Sequence, residues 1–85
     1  MNRNKNRILY SILNKEGGTV LNISVDRRNS ESLKNFYETL EKESDKDIEG
    51  EIIYGSSYSN LKVFLEGGIE KYEDLFYSFV KSIKK

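Results

Sequence analysis

The chain contains no cysteine and no histidine. Their absence removes disulfides, thiol and imidazole nucleophiles, the common zinc sites and the side chain that most often moves protons near neutral pH. Most familiar enzyme mechanisms go with them. Proline, tryptophan, alanine and glutamine are absent too, while Lys, Asn, Ile, Tyr and Phe are frequent. The frequent residues have A/T-rich codons, and alanine and proline have G/C-rich ones. The bias points to an AT-rich gene of the kind found in low-GC bacteria, their phages and their plasmids.

Long hydrophobic runs are missing as well: no stretch approaches the ~20 apolar residues of a membrane helix. The opening, MNRNKNRILYSILNKE, has a basic lead. Tyr10 and Ser11 interrupt its apolar part and no small-residue cleavage site follows, so it reads as a mature cytoplasmic N-terminus. With 85 residues, 36% of them hydrophobic and 33% charged, the chain is expected to be one globular domain over residues 1–85. Residues 1–6 would form a flexible basic arm, 7–44 a first unit and 45–85 a second.

The formal net charge is zero, but it is unevenly spread. Residues 1–28 carry six bases against two acids, and residues 29–51 carry eight acids against three bases. A nucleic-acid-binding domain is usually basic overall, and this chain is not.

Two segments have helical period. Leu33, Phe36, Tyr37 and Leu40 form one apolar stripe, with Asn29 or Ser30 upstream to accept the free N–H groups of a first turn. Ile69, Tyr72, Leu75, Phe76, Phe79, Val80 and Ile83 form another, with Gly67-Gly68 before it and Lys81, Lys84 and Lys85 at its end. Three segments alternate with period two: Thr19–Val25, Ile48–Tyr54 and Tyr58–Glu66. The last two are joined by Gly55-Ser56-Ser57, as in a hairpin. Arg7–Asn14 fits either period, so αβαββα remains open beside ββαββα.

Sliding the chain by 40 residues favours the strand. Ile8 then falls on Ile48, Ile12 on Ile52, Leu21 on Leu61, Phe36 on Phe76 and Tyr37 on Tyr77, with similar residues at Leu13/Ile53, Thr19/Ser59, Ile23/Val63, Val25/Leu65 and Leu40/Val80. A tandem ββα repeat follows, an α+β fold with a four-stranded, mostly antiparallel sheet and two helices on one face. Right-handed crossovers predict the sheet order 1-2-4-3, a permuted ferredoxin-like arrangement. Pairing Ile12 with Leu21 and Ile52 with Leu61 would set Glu51 opposite Lys62.

Three constellations invite a functional reading. Asp45, Asp47, Glu49 and Gly50 match the first half of a calcium loop, but Ser56 stands where the bidentate glutamate belongs, so no metal site is assigned. The acidic segment of Glu38, Glu41, Glu43, Asp45, Asp47 and Glu49 could occupy a basic groove on a partner by imitating phosphate spacing, against the plainer reading of solubility. The sheet face away from the helices would present Leu9, Leu13, Tyr58, Lys62 and Phe64. Such a face suits a protein partner or a homodimer, or bases stacked on Tyr58 and Phe64 beside Lys62.

No catalytic residue is assigned and no cofactor is expected. Gly17-Gly18 has no helix start beside it, and the second helix begins with Glu70, Glu73 and Asp74, which would oppose an anion. The expectation is a non-enzymatic binding module, an accessory or inhibitory protein of a phage or mobile element that docks on a larger host or nucleic-acid-handling protein. The alternative is a single-stranded nucleic-acid-binding module; a membrane partner is not expected.

Overall fold

The computed structural model of the protein describes residues 7–44 and 48–84, so the predicted basic arm at 1–6 and Asp45 and Asp47 lie outside the described residues. Six main elements follow one another: β1 (Ile8–Lys15), β2 (Gly18–Asp26), α1 (Ser30–Glu43), β3 (Glu49–Tyr54), β4 (Tyr58–Glu66) and α2 (Glu73–Lys84). Short 3-10 turns, Arg27–Asn29 and Glu70–Tyr72, lead into the two helices. The order is ββαββα, and the ambiguous opening segment is extended. One antiparallel sheet in the order β1-β2-β4-β3 holds all four strands.

Alternation explains which side is buried. Leu21, Ile23 and Val25 of β2 and Leu61, Val63 and Leu65 of β4 point to one face and are at most 1% exposed. Full burial of such a side chain is worth about 1.5–3 kcal/mol. Over them lie Leu33, Phe36 and Leu40 of α1, together with Tyr72, Phe79 and Ile83 from the second helical segment. Phe36 stacks on Phe79 at 4.7 Å between ring centroids, joining the helices, and Phe76 meets Tyr10 of β1 edge-on at 5.1 Å.

The 40-residue repeat extends to the backbone. Adding 40 to the β1–β2 partners Leu9↔Ser24 through Asn14↔Thr19 yields the β3–β4 partners Glu49↔Phe64 through Tyr54↔Ser59. The central ladder maps onto itself, with Asn22↔Lys62 at its centre. Even the links between turns are paired. Arg27 N–H donates to Ser57 O at 3.0 Å, and Gly67 N–H donates to Gly17 O at 3.1 Å. Gly17 and Gly67 hold φ of 88° and 86°, a region costly for any residue with a Cβ.

Two local expectations are corrected. Neither Asn29 nor Ser30 caps α1: Asn29 makes no side-chain cap bond, and the Ser30 hydroxyl donates backward to Arg27 O at 2.6 Å. Asp26 caps instead, one turn earlier, accepting from Arg28 N–H at 3.0 Å, because a 3-10 turn precedes the helix. For the same reason α2 starts at Glu73 rather than near Ile69.

Candidate functional site

The sheet face opposite the helices has no covering layer among the described residues. Cross-strand rows organise it. One runs Leu13–Val20–Phe64–Glu49, the next Ser11–Asn22–Lys62–Glu51 and the third Leu9–Ser24–Asn60–Ile53, with Asp26–Tyr58 beyond. Leu9, Leu13, Ile53 and Tyr58 are 50–58% exposed. Single exposed apolar residues are ordinary, but several sharing one face make that face the candidate site.

The middle of this face is polar. The Asn60 side-chain amide donates to Asn22 Oδ1 at 2.8 Å, to Ser24 Oγ at 2.8 Å and to Ile23 O at 3.1 Å. Two N–H groups thus serve three acceptors, and the cluster divides the apolar surface. Leu13, Val20 and Phe64 lie on one side of it, and Leu9, Ile53 and Tyr58 reach toward the other. Phe64 also covers Gly18, where a Cβ would lie 2.8 Å from its Cζ. The ring over glycine shields the bare backbone, and Phe64 is itself half-buried. A shallow depression of about 310 Å³ beside it is lined by Val20, Glu49, Glu51, Lys62 and Phe64.

The predicted nucleic-acid residues are placed as expected on this face, but each faces an acid. Tyr58 is opposite Asp26, Lys62 opposite Glu51 and Phe64 opposite Glu49. Tyr58 and Phe64 are six residues apart on β4, about 20 Å at strand rise. That spacing does not form a platform for adjacent bases.

The acidic segment is divided among elements. Glu38, Glu41 and Glu43 are exposed on α1, whereas Glu49 opens β3 on the helix-free face. With Glu49 and Gly50 both paired in β3, the calcium-loop pattern is extended strand at those positions. Among the described residues no group of three or more Asp, Glu, His or Cys is arranged to hold a metal. No helix there is long and apolar enough to cross a membrane.

Between α1 and α2 runs a groove of about 430 Å³, lined by Ser32, Asn35, Thr39, Leu75, Ser78 and Ser82 with Phe36 and Phe79 beneath. Two of its hydroxyls turn back onto their own helices, Thr39 to Asn35 O at 2.9 Å and Ser82 to Phe79 O at 2.7 Å.

Tyr37 is a residue whose role the sequence reading missed. Its ring lies on Gly50, and its hydroxyl donates to Gly50 O at 3.2 Å. Burial, and secondarily the nearby Glu41 carboxylate, raise its phenol above the usual value. The signal was a glycine inside a strand pattern, which marks a close approach.

No protein-family model, curated protein or solved structure compared with the chain matches it.

Proposed function

We propose that the chain is a non-enzymatic protein-binding module that docks on a larger protein through the helix-free face of its sheet. The carrying observation is the exposure of Leu9, Leu13, Ile53 and Tyr58, 50–58% each, around a hydrogen-bonded polar centre. A protein surface supplies both needs of such a face, apolar area at the edges and peptide groups for the amides in the middle.

The repeat adds weight. Most helix-side positions agree between the halves, as in Leu21/Leu61, Ile23/Val63 and Ile12/Ile52, with Tyr10/Gly50 an exception, whereas most open-face positions diverge, as in Leu9/Glu49, Val20/Asn60 and Ser24/Phe64, with Leu13/Ile53 an exception. Packing alone would treat both halves alike. The acids opposite Tyr58, Lys62 and Phe64 weigh against the nucleic-acid alternative, since they would repel a phosphate backbone.

The test compares three forms of the chain as bait. A partner held by the wild type should be lost by Leu9→Ser/Leu13→Ser/Ile53→Ser and retained by Glu38→Lys/Glu41→Lys. Equal retention by all three removes the sheet face from the reading. Mixed-sequence single-stranded RNA or DNA should leave tyrosine fluorescence unchanged at low salt; quenching that salt reverses would favour the alternative.

A further inference from the structure

The two edges of the sheet are built differently although the repeat makes them equivalents. β3 is short, carries Glu49 and Glu51, and is closed on its helix side by Tyr37 lying on Gly50. Charge, brevity and cover are the usual devices that keep an edge strand from pairing with another chain.

β1 is longer and carries no acid, and among the described residues its helix side is met by Phe76 edge-on at Tyr10 rather than by a ring seated on its backbone. The repeat equivalent of Gly50 is Tyr10, so the equivalent of Tyr37, which is Tyr77, has no bare backbone to lie on and stands 66% exposed. It is not among the residues that line the interhelical groove. The strand runs eight residues without a break in register, and its only charged residue is the terminal Lys15. Leu9, Tyr10, Ile12 and Leu13 are 42–56% exposed, two on each face of the sheet.

We infer that β1 pairs antiparallel with β1 of a second copy, centred on Ser11, to form a continuous eight-stranded sheet. The occupant follows from the strand's own pattern. Leu9-Tyr10-Ser11-Ile12-Leu13 is apolar on both sides of Ser11. A twofold axis through Ser11 sets Leu9 against Leu13 of the second copy and Tyr10 against its Ile12, each pair on one face, while Ser11 meets its own mate. Shifting by one residue would set open-face side chains against helix-face ones, which the period of two forbids. The like-charged Arg7 and Lys15 meet only at the ends of the paired segment, where both are exposed and screened by salt. The dimer leaves the helix-free face uncovered, so it does not depend on the docking proposed above, and would double that surface.

The chain has no cysteine, so a single thiol reports the register. Across an antiparallel pair the Cα atoms are about 4.5–5.5 Å apart, within disulfide range. Mild oxidation of Ser11→Cys should give a disulfide-linked dimer in high yield, and Ile53→Cys should not. Light scattering of the wild type should report twice the 9.9 kDa chain mass. Tyr10→Lys/Ile12→Lys should halve it with unchanged far-ultraviolet dichroism, while Tyr54→Lys, on the other edge, should leave it doubled. A wild type that remains at the single-chain mass up to about millimolar concentration overturns the inference. Crosslinking of Ile53→Cys as efficient as that of Ser11→Cys overturns it too. Full partner retention by an Ile53→Ser bait, altered outside the β1 pairing, with an intact Ser11 crosslink would concern the docking face alone.

Discussion

The ring of Tyr37 lies on the backbone of Gly50, with a Cβ built on that glycine 3.1 Å from the ring's Cε1 and the phenol 3.2 Å from its carbonyl oxygen. Gly50 is thus the socket through which α1 is fastened to the edge of the sheet. The same Cβ would also lie 3.0 Å from Lys62 O and 3.0 Å from Val63 Cγ2. The ring can yield, but the backbone oxygen cannot.

Gly50→Ala should therefore destabilise the fold by about 1–2 kcal/mol, because overpacking outweighs the gain from a less flexible unfolded chain. The midpoint of urea denaturation should fall, with an unchanged slope. A midpoint equal to or above that of the wild type would show that Lys62 O and Val63 leave room for a side chain at this position.

The phenol of Tyr37 adds a pH dependence. Burial first, and the Glu41 carboxylate second, favour its neutral form in the folded state, above the ordinary value of 10.0. The folded chain then holds this proton more tightly than the unfolded one. Its contribution is complete below about pH 10 and is lost as pH rises through the raised folded value. Tyr37→Phe should make the alkaline loss of stability shallower and, near neutrality, cost about 0.5–1.5 kcal/mol for the hydrogen bond. Tyrosinate absorbance during a base titration should lose, in this variant, a component that ionises above the ordinary value. Loss of a component at the ordinary value instead would show that burial does not raise the Tyr37 phenol.

Much of this fold was legible because the core is written with two clean periods. Leu21, Ile23 and Val25 alternate and are all buried, and Leu33, Phe36 and Leu40 keep helical spacing and are all buried. The repeat decided the opening strand, since Ile8 and Ile12 had to share the environment of Ile48 and Ile52. The helix starts were less legible. Whether Asp26 or Asn29 caps depends on a 3-10 turn whose hydrogen bonds leave no periodic trace. At the surface, period gave the face but not the neighbours. That Lys62 faces Glu51 followed from register, whereas the three acceptors gathered around Asn60 depend on side-chain reach, which spacing does not encode.

Ser59 and Ser30 offer a test of direction in a buried hydrogen bond. Ser59 is fully buried, with its Oγ 2.5 Å from Ser30 Oγ. Because the Ser30 hydrogen goes to Arg27 O, the Ser59 hydroxyl must donate to Ser30. The two single substitutions are then unequal. Ser59→Ala removes a donor and leaves Ser30 still bonded to Arg27, at about 1 kcal/mol. Ser30→Ala strands the buried Ser59 hydroxyl, at about 1–3 kcal/mol. The double variant should cost less than the two together. Equal single costs that add would mean the pair is not coupled as described.

Phe64 and Leu13 share one row of the open face but should separate folding from binding. The Phe64 ring shields Gly18, so Phe64→Ala exposes bare backbone and removes a half-buried aromatic, at about 1–2 kcal/mol. Leu13, on the edge strand, is 55% exposed, and Leu13→Ala should change stability by less than about 0.5 kcal/mol. If the face is a contact surface, Leu13→Ala should nevertheless weaken capture of the partner. Denaturation midpoints for the two variants, read beside partner retention, decide the matter. Equal losses of stability would show that the ring does not serve as the cover of Gly18, and full retention by Leu13→Ala would remove β1 from the docking surface.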